Sequence, residues 1–280
     1  MRVPRRRLLR YLWVYLGVAV VLALTLLPVL WMLGTSFKAK AEYGAYPPTI
    51  VPAHPTLDSY VSAFQRYDAG TYVTNTVLIA FGATAAACLA GTLGAYSLVR
   101  FRYRGRDAIG FAVLGLRMFP IAAIAIPFFV VMQRLHLLNT YWALILAYQL
   151  ILLPILVWMM RGFFEDLPTE LEDAALVDGC GRWGAFRRVA LPLVAPGIAA
   201  SAVFCLMISW NEFLSPLLFT QNRSVQPVSM LLANLINPSQ GIQWGELSAV
   251  GVIGIVPMLV FTFLMQGYLL RGLTMGAVKG

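Results

Sequence analysis

Charge is what this sequence has least of. Only 12% of its 280 residues are Asp, Glu, Lys or Arg, against 60% hydrophobic residues. With a mean hydropathy of +0.75, that shortage excludes a disordered chain and an ordinary soluble enzyme. Too little polar sequence is present to coat soluble domains of this length, and a bilayer is the natural solvent. Cysteine is scarce as well: Cys88, Cys180 and Cys205 show no C-x-x-C spacing, which excludes a disulfide framework. The two histidines, His54 and His136, stand far apart and have no metal-ligand spacing. Lysine occurs three times, at Lys38, Lys40 and Lys279, and none closes a G-x-x-x-x-G-K-[ST] loop. The chain therefore has no P-loop route to ATP hydrolysis. Neither a Ser-His-Asp arrangement nor a paired-carboxylate site is visible, so no catalytic residue, metal ligand or resident cofactor is expected.

What remains is long apolar runs. A helix needs about 20 apolar residues to cross the hydrocarbon core. Six segments reach that length: Tyr11–Leu33, Tyr72–Leu98, Ala108–Met132, Tyr141–Met160, Val194–Leu218 and Leu247–Leu270. Each must be helical, because lipid offers no partner to a free backbone N–H or C=O. The expectation is an all-α polytopic membrane protein of six transmembrane helices, one domain over 1–280 with a five-helix core at 72–270. The first run follows Arg2, Arg5, Arg6, Arg7 and Arg10 as a signal peptide would, but it is too long for an h-region and no A-x-A-like site follows. It reads as an uncleaved span.

The basic residues set the expected orientation. Fifteen of the 21 Lys and Arg fall in the N-terminus, the Arg100–Arg106 loop, the Arg161–Leu193 loop and the C-terminal tail. Five, Lys38, Lys40, Arg66, Arg134 and Arg223, fall on the opposite side, and Arg117 lies within a span. This excess puts both termini in the cytoplasm. Short basic bursts between apolar runs suit lipid headgroups rather than nucleic acid. On the outer side, a first loop at about residues 34–71 holds Pro47, Pro48, Pro52 and Pro55 and should be irregular. It serves either as a docking surface for an external partner or as a connector. A last outer loop at about residues 220–246 is polar.

The inner stretch 161–192 carries six of the 12 acidic residues. It reads as two short helices. Thr169-Glu170-Leu171-Glu172 has capping-box spacing, with Thr169 as N-cap and Glu172 reaching back. Leu171, Ala174, Ala175 and Asp178 then share one small, smooth face, and Gly179 is placed to end the helix. A second helix over about 182–190 puts Trp183, Phe186 and Ala190 on one face and turns Arg187 and Arg188 away. A pair this short is not stable alone. Its apolar faces meet either its own bundle or a groove on a soluble partner.

The run Asp173-Ala174-Ala175, three residues, Gly179, nine residues, Val189, one residue, Leu191-Pro192 resembles the EAA signature of permease subunits in bacterial ATP-binding-cassette importers. Asp173 stands where the family usually has Glu, and Val189 where it usually has Ile. Further likeness lies in Gly94-Ala95-Tyr96-Ser97 before a basic turn, Arg117-Met118-Phe119-Pro120, Trp210-Asn211-Glu212-Phe213, and the tail Arg271–Thr274 with Gly276–Gly280. These are similar to the carbohydrate branch, and more narrowly to the six-span partner in maltose-type sugar permeases. The resemblance implies that the loop is a coupling helix: Glu170, Leu171, Glu172, Asp173, Ala174, Ala175, Asp178 and Gly179 would dock on a homodimeric ABC ATPase, which would use ATP and magnesium. It also implies a second homologous permease, an extracytoplasmic solute-binding protein, and residence in the bacterial inner membrane.

Arg117 and Glu212 are the charged residues inside spans, with Asn211 beside Glu212; charge there is costly and must face protein or water. Arg117 either lines the solute path or satisfies carbonyls freed by Pro120 and Pro127. Asn211 and Glu212, beside Trp210 and Phe213, either contact sugar or cap an interfacial belt. Ala83, Ala87, Gly91 and Ala95 recur every four residues and read as a packing seam, within the subunit or against a second permease. The functional expectation is a membrane subunit of an ATP-driven carbohydrate importer. The same machinery carrying glycerol phosphate or an amino acid, and an ATP-independent secondary transporter, stay open as alternatives.

Overall fold

The structure is a computed structural model that describes residues 5–237 and 241–275; side chains are described for residues 11–120, 123–236 and 241–266. The likeness at Arg271–Thr274 falls where only backbone is described, and Gly276–Gly280 lies outside the described residues. The chain forms two compact units, one made of the chain up to Ala69 with Leu231–Val256, the other of Gly70–Met230 with Pro257 onward.

The first unit opens with α1 (Arg5–Ser36). Its large side chains from Tyr11 to Leu30 are all exposed, as suits a helix whose solvent is hydrocarbon. The loop that follows is less irregular than its prolines predict. It holds a 3₁₀ turn, Lys40–Glu42, and a helix α2 (Asp58–Gln65). Local hydrogen bonds explain the order: the Glu42 carboxylate accepts the Ala53 and His54 amides, each at 3.0 Å. Tyr43 Oη lies 3.1 Å from Ser59 Oγ, and Thr56 Oγ1 accepts the Asp58 amide at the start of α2. A two-residue antiparallel hairpin pairs β1 (Ile236–Asn237) with β2 (Gly241–Ile242), Ile236 opposite Ile242. Among the described residues it is the only departure from helices and loops. Ser62 Oγ donates to the buried Glu246 carboxylate at 3.1 Å.

The second unit is built on α3 (Ala69–Arg100), α6 (Tyr141–Glu165) and α10 (Ala195–Trp210). Ile79, Leu144, Tyr148, Leu152, Leu156, Met160, Phe164 and Cys205 are at most 1% exposed and form its core. The small-residue seam on α3 lies inside this core. Ala83, Ala87 and Ala95 are fully buried, and a Cβ on Gly91 would sit 2.5 Å from Leu156 Cδ2. Glycine is what lets α3 and α6 approach there.

Two of the expected spans are not single helices. In place of Ala108–Met132, α4 (Arg106–Gly115) passes through a 3₁₀ turn, Leu116–Met118, to extended Phe119 and Pro120, and α5 (Ile121–Arg134) follows. The limbs Arg106–Met118 and Ala123–Arg134 meet at 102°. Proline at 120 disfavours the α conformation at Phe119, which takes ψ 130°. In place of Val194–Leu218, α10 ends at Trp210 and a separate α11 (Leu214–Phe219) follows. Among the described residues, four helices are long and apolar enough to cross a membrane, or six if two bent pairs each count as one span: Arg106–Met118 with Ala123–Arg134, and Arg182–Leu193 with Ala195–Trp210, whose limbs meet at 70°. The last of the four lies within α13 (Trp244–Met275), which α12 (Val228–Asn234) precedes.

Candidate functional site

The loop between α6 and α10 folds as α7 (Thr169–Val177), α8 (Arg182–Ala185), a π-helical turn over Phe186–Ala190, and α9 (Leu191–Leu193). Two helices were expected, the second over about 182–190; in place of that second helix α8 passes through the π-helical turn and continues as α9 to Leu193. The capping box is not formed. The N-cap is Pro168 and no side chain caps the helix, so Thr169 is already its first residue. Glu172 turns away from the helix start because a better partner lies across the fold. Its Oε1 accepts Arg100 Nε at 2.6 Å and its Oε2 accepts Tyr96 Oη at 2.6 Å. Charge-assisted bonds of this length outweigh a cap to a neutral amide. Arg100 Nη2 also donates to Leu167 O at 2.7 Å.

The far end of α7 behaves as the glycine predicts. Gly179 has φ +84°, its amide bonds Leu176 O, and the Cys180 amide bonds Ala175 O. Paired bonds of this kind define a Schellman ending, which needs a residue at positive φ. A Cβ at Gly179 would meet nothing within 4 Å, so the backbone angle alone selects glycine.

Below α7 the anchoring is aromatic. The Tyr96 ring lies 4.6 Å from Phe186, 5.3 Å from Phe164 and 5.9 Å from Phe101. Phe186 and Ala190 are buried as their face predicts, and Arg187 and Arg188 are exposed. Trp183 departs from that face: it stacks 5.2 Å from Phe186 but stays 64% exposed, because Phe186 already fills the place beside Tyr96.

Of the eight residues expected to dock, Glu170, Leu171, Asp173, Ala174, Asp178 and Gly179 are exposed, whereas Glu172 and Ala175 are buried. The sequence pattern missed the most exposed apolar residue of the helix, Val177 at 88%. The pattern missed Tyr96 and Arg100 too. A tyrosine and an arginine four residues apart on one helix face, in a chain this poor in charge, were the clue.

Among the described residues, no hydrogen bond or ion pair links Arg117 to Asn211 or Glu212. Arg117 is exposed on the 3₁₀ turn at the α4–α5 break, and no hydrogen bond or ion pair joins it to another described residue. Asn211 is exposed and donates to Met207 O at 2.8 Å. Glu212 is half-buried. Both carboxylate oxygens accept the Ser215 amide, at 3.0 and 3.2 Å, and its carbonyl accepts Ser229 Oγ at 2.8 Å. This pair closes the α10–α11 break and holds the first turn of α11. No cluster of His, Cys, Asp or Glu with metal-binding geometry occurs among the described residues.

Residues 83–275 match the family described as the binding-protein-dependent transport system inner membrane component. The sulfoquinovosyl glycerol transport system permease protein of Agrobacterium fabrum is 34% identical over 95% of this chain and 93% of its own length. The trehalose/maltose transport system permease protein of Thermococcus litoralis is 31% identical over 99% of each. In fold, the chain is similar to a crystal structure of a bacterial ABC transporter involved in import of the acidic polysaccharide alginate. That likeness has a TM-score of 0.81 at 20% identity and covers 96% of this chain and 99% of the other. The chain is therefore a member of the family of inner membrane components of binding-protein-dependent transport systems.

Proposed function

We propose that this chain is the permease subunit of an ATP-driven sugar importer, with α7 as the helix that docks on a separate ATPase. Both termini are cytoplasmic in this reading, and the bent pair α4–α5 and the span built on α10 complete six. The observation that carries it is the two-sidedness of α7. Its inner face is tied down through Glu172, while Leu171 at 45% and Val177 at 88% exposure are left bare beside exposed Glu170, Asp173 and Asp178. An apolar pair rimmed by carboxylates suits insertion of a short helix into a groove on a soluble partner. Sugar as the solute is supported by relatives named for sulfoquinovosyl glycerol and trehalose/maltose.

The chain has no P-loop, so the energy comes from a homodimeric ABC ATPase that uses ATP and magnesium. A second homologous permease completes the path, and an extracytoplasmic binding protein delivers the solute. ATP binding would close the ATPase pair and displace α7, opening the bundle outward; hydrolysis would reverse this. Such a switch needs contacts that differ between its two states, and α7 is where they would be made. The test is Val177→Asp in the full chain co-expressed with its ATPase. The ATPase should no longer co-purify; full retention there and on deleting residues 171–179 would overturn α7 as the docking helix, and no ATPase on the native chain would leave an ATP-independent transporter as the better reading.

A further inference from the structure

Tyr96 and Arg100 take no part in a docking face, yet both are spent on one carboxylate of the helix that carries it. We propose that Tyr96, Arg100 and Glu172 form a rigid joint that makes α7 an extension of α3, so that a displacement of α7 is delivered to this one membrane helix first. The proposal rests on the reading of α7 as the docking helix and names where its motion goes. Tyr96 and Arg100 are four residues apart and share one face of α3. Each Glu172 oxygen takes one bond, from Arg100 Nε and from Tyr96 Oη, both at 2.6 Å. The second arm of Arg100 holds Leu167 O, just before α7, so one guanidinium fixes the entry to the helix and its first turn together.

Among the described residues, every side-chain hydrogen bond from α7 to another helix goes to α3. Its remaining attachments are chain connections and packing, which lack the strength and directionality of a charge-assisted bond. The joint is also dry. The Arg100 and Glu172 side chains are 10% and 8% exposed, and Phe101, Phe164 and Phe186 surround the Tyr96 ring. Tyr96, Arg100 and Glu172 are accordingly positioning residues, acting through α7 and touching no solute.

The test uses the full chain in lipid nanodiscs, with Cys88, Cys180 and Cys205 replaced by alanine and spin labels at Leu89 on α3 and Thr169 on α7, both exposed. The interspin distance should be single and narrow. Glu172→Gln and Arg100→Met should each widen its distribution at least twofold, and Tyr96→Phe, which removes one hydroxyl only, should widen it less. In complex with the co-expressed ATPase, ATP should leave the native distance unchanged, since the two helices move as one body, and should shift it in Glu172→Gln. Native width in both Glu172→Gln and Tyr96→Phe overturns the proposal, as does an ATP-induced change in the native distance larger than its width. The widths are read with no ATPase present, so they stand apart from the docking reading, which fails separately if Val177→Asp retains the ATPase.

Discussion

The two ends of α3 are held by different chemistry. At its start, Asn75 donates to Ser224 O and Gln226 O at 3.0 Å and accepts Tyr141 Oη at 2.7 Å, while Thr76 Oγ1 accepts the Val228 amide at 2.8 Å. These are neutral bonds, largely to main chain, and they clamp a connection from several sides. At its end, one carboxylate meets a guanidinium and a phenol, and the helix that bears the carboxylate keeps its other face bare. A clamp made through backbone holds a segment wherever its side chains point. A joint made through one buried charge pair sets an orientation and depends entirely on both partners.

The largest expected effect comes from breaking the joint. Glu172→Leu leaves Arg100 buried without its counter-charge, and removing one partner of a buried pair costs about 3–5 kcal/mol. Titration of the purified chain with SDS, followed by circular dichroism, should show unfolding at clearly lower detergent fraction. A shift within error would mean that the pair is wetter than its 10% and 8% exposures indicate. Breaking the clamp should cost less. Asn75→Leu takes the Asn75 donor from Gln226 O and leaves the Tyr141 hydroxyl and Ser224 O only their mutual contact at 3.3 Å, for about 2 kcal/mol in the same titration. If Asn75→Leu proved the more damaging of the two, the contrast between joint and clamp would be reversed.

That contrast was only half legible in the sequence. The division of the loop, its glycine ending and the buried face of Phe186 and Ala190 follow from spacing, because they are decided within a few residues. The Thr169–Glu172 box has the same kind of spacing and misled, because a carboxylate three residues into a helix reaches backward or across equally well. The choice was made by Arg100, 72 residues away in the chain. The breaks at Phe119-Pro120 and Asn211–Phe213 were hidden for another reason. Hydropathy averages over a window, and Leu116, Met118 and Phe119 at the first break, Trp210 and Phe213 at the second, keep that average apolar across each short interruption. The four-residue repeat on α3 named a seam correctly, but only the Gly91–Leu156 approach showed that it closes within the chain. Docking and solute selection belong to surfaces whose counterparts are other molecules, and no single sequence contains them.

A milder change sharpens the joint without cutting it. Gly179→Ala adds one methyl into open space, so only the φ of +84° resists it. A non-glycine residue at left-handed φ costs about 1–2 kcal/mol, far less than an orphaned arginine. Amide hydrogen exchange at Gly179 and Cys180, the two donors of the Schellman ending, should accelerate about five- to thirtyfold, while exchange in the middle of α3 stays at its native rate. Acceleration that spread along α3 would show the helix ending and the joint to be one cooperative unit.

The smallest effect is expected in the first unit, where the comparison extends to a third kind of tie, a carboxylate held by backbone alone. The amide of Ala53 is the main cause that holds the Glu42 carboxyl below the ordinary glutamate range, with the amide and charge of His54 adding to it and Lys38 contributing, against a smaller opposing desolvation. A group whose folded value is depressed stabilises the fold fully above its unfolded value and loses that contribution as pH falls through the folded one. The loop around Ala53 should therefore keep its protection at neutral pH and lose it only below the usual glutamate range, as the carboxylate gains its proton. Glu42→Gln should mimic the acid state at pH 7: the Ala53 and His54 amides, each bonded at 3.0 Å in the native chain, should exchange faster and no longer respond to acid. If Glu42→Gln kept the native exchange rates, or the native loop kept its protection in acid, the tie would not rest on the Glu42 carboxylate.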